Sequence, residues 1–364
     1  MSIIRLVSLI CVLLYGFQSL TAAIDIVWDY SYDTGNYFTN DRKYVMEQVA
    51  YAFESRLGNE SFGSLDPSDH SGSTMTPFLT FGNPTTGSST DVNFGSTTSD
   101  GNVVGAANKV VIFLGAQAVG TGNYLAVARQ GYGTGSYFAG DAWINYWNNT
   151  RNTSTNWDSI GGAISVNSSF DFYADTDLTS HSDATTSGDY DFYSVMAHEL
   201  GHIMGFSSLP EAWISSSSWT GGNATAEYSD TNVPMNGNPH FSTSLDQNKV
   251  NCDCHPSMLP NIPVNTRRGF SDLDFAVLED MGYAISSSPS GTNIGGTYTD
   301  PTWGGSYYIP VSQSYSSWLA GDPVGSGGSA APEPAYIFTL FGGLIAALSS
   351  RKKLVSLSKQ LAFR

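Results

Sequence analysis

The stretch that most restricts how this chain can fold is His-Glu-Leu-Gly-His at residues 198–202. Two histidines at that spacing on a helix leave one face about one turn apart, so both rings can grip a single metal ion. The flanking Val195, Met196, Ile203 and Met204 require this helix to be sunk in a core. Buried imidazoles need partners, which favours a metal over two idle rings. The donor set suits Zn²⁺. Glu199, beside the first ring, stands where a carboxylate can take a proton from water.

A catalytic zinc takes three protein ligands and keeps one position open. Gly205 permits a sharp turn at the helix end, which can return later chain to the site. The candidates for a third donor are His240, His255, Glu227, His181 and His70. Spacing alone leaves all of them open.

Composition narrows the setting. Charged residues make up 13% of the 364, about half the usual ~25%, while Gly (38) and Tyr (20) are abundant. That mix fits a loop-rich extracellular protein. The net charge is −17, and between residues 24 and 350 nine basic residues face 32 acidic ones. Such a body repels nucleic acid and anionic lipid, which excludes both as partners. Structural Ca²⁺ is conceivable for so acidic a chain, but no calcium-loop motif supports it. Three cysteines exclude a disulfide-dense scaffold. Cys252 and Cys254 are too close in sequence to bridge without strain.

Both ends read as targeting segments. Residues 1–23 form a secretory signal peptide, with Arg5, an apolar run from Leu6 to Phe17 and small residues at Thr21-Ala22-Ala23. At the other end Pro332-Glu333-Pro334 precedes an uncharged run from Ala335 to Leu348, then Arg351-Lys352-Lys353. That run is short for a stable span and suits a transient sorting helix. The order resembles the PEP-CTERM sorting signal of bacterial exosortase substrates, although Leu354 to Arg364 continue past the usual end. The resemblance implies export, an exosortase-type partner, a place on the bacterial surface or in its matrix, and membrane contact only through this segment.

Between the ends, the patterns predict a mixed α/β (α+β) body. Ile24 to Trp28, Lys109 to Leu114 and Tyr124 to Arg129 read as strands, and Ala163 to Val166 as an edge strand. Asn40 or Asp41 caps a helix carrying Val45, Met46, Val49, Ala50, Phe53 and Leu57 on one face, stopped by Gly58. Residues 61–103 read as irregular loop. A second helix runs from about Asp189 to Gly205. Ser271 to Asp274 forms a capping box for a third, whose face is Leu273, Val277, Leu278 and Met281. The organisation is a signal peptide at 1–23, a main domain at 24–286, a Gly/Ser/Pro-rich linker or small hairpin at 287–330 and the sorting segment at 331–364.

The stretch His198-Glu-Leu-Gly-His-Ile-Met-Gly-Phe206 is followed by Trp219-Thr-Gly221, Ala224 and Tyr228. Then come Val233-Pro-Met235, Pro239-His240-Phe241, Ser257-Met258-Leu-Pro260, Arg267-Arg-Gly269 and the run Ser271 to Tyr283. Over residues 190–285 this resembles the leishmanolysin family of metzincin zinc metalloproteases, in the bacterial form that carries a PEP-CTERM tail. The simple metzincin position for a third ligand holds Ser208, a poor donor, whereas the leishmanolysin arrangement inserts chain before its third histidine. The resemblance implies His240 as third ligand and Met258 in a Met-turn beneath the metal. It further implies a metzincin-like zincin fold, with a twisted sheet, a backing helix and a C-terminal subdomain. The activity it implies is cleavage of proteins or peptides, with Glu199 as base. No cysteine lies between 12 and 251, so a cysteine-switch latency is absent. Two other classes stay open: a non-catalytic surface or matrix protein with structural zinc, and a metallohydrolase acting on a non-peptide matrix polymer.

Overall fold

The computed structural model describes residues 24–57, 61–121, 124–134, 141–151, 157–179, 188–207, 214–215, 217–237, 239–251, 255–287, 294–299 and 306–321. The signal peptide, the sorting segment, Gly58, Cys252 and Cys254 lie outside these residues.

The architecture is α+β. In chain order it begins with β1 (Asp25–Asp29), α1 (Asn40–Glu54), β2 (Phe78–Gly82), β3 (Ser89–Asn93), β4 (Lys109–Gln117), β5 (Ala126–Gln130), β6 (Tyr132–Thr134), α2 (Ala142–Tyr146) and β7 (Gly162–Asn167). The main sheet runs β1-β4-β7-β5. Its first three strands are parallel, and β5 runs antiparallel to β7. Strand β4 shows why the sheet is central: Val110, Ile112 and Leu114 join one core, while Val111 and Phe113 join another on the opposite face. A strand buried on both faces reads as a continuous apolar run.

Two expectations are corrected here. The segment from Ala163 to Val166 is not an edge strand: it lies within β7, between β4 and β5, with Ala163, Ile164 and Val166 all buried. Its apolar run is the mark of an interior strand, and the edge falls to β5, whose end carries the polar Arg129 and Gln130. Residues 61–103 are not irregular throughout. Strand β2 pairs with β3 and with β6, and its Leu79 and Phe81 cover Val111 and Phe113. The surrounding Gly, Ser and Thr hide this strand from a composition-based reading.

Helix α1 starts at Asn40, so neither Asn40 nor Asp41 caps it, and the preceding Thr39 makes no side-chain capping bond; the helix buries the apolar face read from its sequence. It packs against α3 (Phe192–Gly201), which follows two short strands, β8 (Phe172–Tyr173) and β9 (Tyr190–Asp191). After α3 come β10 (Ile214–Ser215), β11 (Ser218–Trp219), α4 (Gly222–Glu227), β12 (Val233–Pro234) and α5 (Asp272–Asp280). The capping box of α5 is present, and Leu273, Val277, Leu278 and Met281 are buried.

Within 287–330 the chain forms an antiparallel pair, β13 (Ile294–Thr299) with β14 (Ser306–Val311), and a short helix, α6 (Tyr315–Ala320). These are pinned to α1. The Ser312 N–H donates to Gln48 Oε1 at 2.7 Å, the Tyr44 hydroxyl donates to the Gln313 carbonyl at 2.8 Å, and the Tyr315 and Trp318 rings lie against Tyr44. Among the described residues no helix is long and apolar enough to cross a membrane.

Candidate metal centre

Helix α3 starts where Asp191 accepts the Ser194 N–H at 3.0 Å, an ordinary aspartate cap. One turn before the helix ends it presents His198, and the next turn presents His202. The backbone continues as a wider π-type turn through His202–Phe206, where Gly205 adopts φ +149°. A side chain there would be strained by that φ, and its Cβ would fall 2.4 Å from Met281 Cε. The expected sharp turn is therefore present at Gly205.

The third ring arrives from a loop. Beyond β12, an isolated bridge joins Met235 to Phe241, and the Phe241 N–H donates to the Met258 carbonyl at 3.0 Å. His240 is thereby placed opposite α3. The Nε2 atoms of His202 and His240 lie 3.1 and 3.2 Å from Nε2 of His198. One ring nitrogen from each residue lies within 4.8 Å of the others, close enough to hold one metal ion. Among the described residues no second group of His, Cys, Asp or Glu gathers in this way.

Electrostatics make this a set of donors. Burial pushes the His198 imidazole down to about 4, helped by His240 and Arg268. Burial and the two neighbouring histidines hold His202 well below its usual value, and burial lowers His240. The three rings are neutral at neutral pH, so their nitrogens offer lone pairs rather than charge. Three neutral imidazole donors converging at such distances are the set that a metal ion binds, so the residues fit a metal.

Glu199 faces the same cleft and is buried. Its Oε2 accepts the Ala128 N–H of β5 at 2.6 Å. Burial pushes its carboxyl up to about 8 in the absence of a cation, against the opposing effect of that N–H. The cleft has a volume of about 290 Å³. It is lined by Tyr124 to Ala128, Val195, His198, Glu199, His202, His240, Pro260 and Ile262.

The rival ligands are elsewhere. His255 lines a separate cavity with Asn261 and Arg268. The His70 Nε2 lies 2.8 Å from the Ser64 carbonyl, and the ring lies against Tyr146. Glu227 accepts from the Asn251 side chain at 3.4 Å. His181 and Ser208 are outside the described residues. Met258 is fully buried, with its Sδ 2.5 Å from where a Cβ on Gly201 would stand, so it sits beneath the turn between the two helix histidines.

Two features escaped the sequence reading. One is the contact of β5 with Glu199. The other is the support of His198, whose Nδ1 lies 2.6 Å from the Ser257 carbonyl. Neither has a local signal, since each joins segments at least 59 residues apart. No family model, curated protein or solved structure matches the chain.

Proposed function

We propose that the protein is an exported zinc endopeptidase of leishmanolysin-like, metzincin type. His198, His202 and His240 hold the metal, Met258 lies in a Met-turn beneath it, and Gly205 frees the chain after the helix. The observation that carries this reading is the convergence of three neutral imidazoles beside a buried carboxylate in one cleft. Zinc held there would supply Lewis acidity for a scissile carbonyl and would make water a better acid. Glu199 takes the proton from the attacking water and delivers it to the leaving amine.

Strand β5 aligns the substrate. Its Ala128 N–H is taken by Glu199, and by the alternation of an antiparallel ladder the backbone groups of Ala126 and Gln130 share that direction and are the ones offered to a peptide. An extended peptide adds to such an edge through main-chain hydrogen bonds. This favours a peptide over a non-peptide polymer. The buried Glu199 favours catalysis over a structural zinc, which needs no base. The signal peptide and the exosortase-type tail deliver the enzyme to the cell surface or matrix.

Metal analysis of the purified full chain, run beside casein cleavage with and without chelator, tests the reading. One zinc per chain and cleavage that chelator abolishes and zinc restores are expected. His240→Ala lowers zinc affinity by at least about tenfold and removes cleavage, whereas His255→Ala keeps both. Stoichiometric zinc with no cleavage of any protein substrate supports the structural-zinc alternative instead.

A further inference from the structure

Helix α5 opens with a capping box. The Ser271 hydroxyl accepts the Asp274 N–H at 3.3 Å, and the Asp274 carboxylate accepts the Ser271 N–H at 2.7 Å. A carboxylate in that role commonly stands near water at the helix end. Asp274 does not, being 0% exposed. Burying a carboxylate is costly unless donors meet its oxygens. Asp274 accepts from the Ser271 hydroxyl at 2.7 Å, from the Ser257 N–H at 2.8 Å and from the Met258 N–H at 3.1 Å. The last two bonds serve no purpose in capping. They hold two consecutive amides of the loop that passes under the metal centre.

The carbonyl of that same Ser257 lies 2.6 Å from His198 Nδ1. A neutral ring whose Nδ1–H is spent on a carbonyl keeps its Nε2 lone pair free, and that Nε2 is the atom facing His202 and His240. The support is selective, because among the described residues Nδ1 of His202 has no hydrogen-bond partner. Carbonyl partners of this kind fix the orientation and tautomer of metal-binding histidines.

We propose that Asp274 is a positioning residue for the three-histidine centre: by holding the Ser257 and Met258 amides it aims the Ser257 carbonyl at His198 and so presents the His198 Nε2 to the metal. The inference rests on the proposed metal site, but the link from Asp274 to His198 is made by this chain alone. Asp280, on the same helix, is a natural control. It accepts from Trp219 Nε1 at 2.9 Å and from the Asn223 N–H at 2.7 Å, and among the described residues neither partner bonds directly to His198, His202 or His240.

Asp274→Asn replaces one accepting oxygen with an amide that cannot accept, so the loop loses a tether. Zinc affinity of the full chain by chelator competition, and the visible spectrum of the cobalt-loaded chain, read the consequence. Asp274→Asn weakens zinc about 10- to 100-fold and shifts the cobalt spectrum, while Asp280→Asn stays near the parent even when it melts at as low a temperature. Parent-like affinity and spectrum in Asp274→Asn, or an equal loss in Asp280→Asn, overturns the proposal. Should Asp274→Asn fail to fold, nitrogen NMR of the metal-free parent decides. His198 as the Nδ1–H tautomer with slowly exchanging Ser257 and Met258 amides supports the link, and the Nε2–H tautomer or fast exchange overturns it. A parent chain that takes up no metal sinks the proposed function instead, and the tautomer measurement still decides the link.

Discussion

Two regions of this molecule are held together by different means. Over residues 24–167 the longest strands build the core, with apolar side chains packed on both faces of β1, β4 and β7. Over residues 171–287 the strands shrink to two residues, and carboxylates take the place of ladders. Asp191 caps α3, Asp274 catches loop amides, Asp280 accepts the Asn223 N–H at the start of α4, and Arg267, 0% exposed, lies 2.7 Å from Asp175 and 3.0 Å from Asp191. A ladder is rigid but spends its polar groups on itself. A loop can aim three histidines and a carbonyl at one point, provided something buried accepts its N–H groups. The sheet region should therefore respond to lost volume, and the site region to lost charge or a lost acceptor.

The largest expected effect isolates the chemistry from the scaffold. Glu199→Gln keeps near-stoichiometric zinc and loses cleavage activity by about 10²- to 10⁴-fold, as for a missing general base. Activity equal to the parent would remove Glu199 from the mechanism. Next comes Arg267→Met, which leaves Asp175 and Asp191 buried without their cation. Urea unfolding should show a loss of about 3–5 kcal/mol, and a loss below about 1 kcal/mol would break the contrast.

A third prediction uses a buried acid of the sheet region. Glu54 accepts the Ile26 N–H at 2.7 Å, and burial pushes its carboxyl up to about 8. A carboxyl whose folded value is raised favours the folded state below its unfolded value and costs stability as pH rises towards the folded one. Relative to Glu54→Gln, the parent should lose about 2 kcal/mol between roughly pH 4.5 and 8, a figure discounted because the side chain is partly exposed. A flat difference across that range contradicts the assignment. The smallest effect belongs to pure packing. Ile112→Val, in the middle of β4, should cost about 0.5–1.5 kcal/mol at any pH.

Legibility in the sequence follows the same division. Helices α1, α3 and α5 were readable because helical spacing and capping act within a few residues. Strand β2 was missed because its apolar residues stand among Gly, Ser and Thr. Strand β7 was mistaken for an edge because four residues cannot report how many neighbours they have.

By itself, then, the sequence determined a helix that offers His198 and His202 on one face beside Glu199, a glycine to end it and a capped helix behind it. These depend on backbone geometry that repeats over one turn. Only the tertiary structure decided that His240, and not His255, completes the cluster, that β5 borders the cleft, and that Asp274 reaches His198 through Ser257. Resemblance named His240, but the meeting of its ring with the other two spans 38 positions of chain, with α4 and short strands between. Such a return leaves no periodic trace in the chain. It is set by which distant amides the buried carboxylates and the sheet edge are able to satisfy.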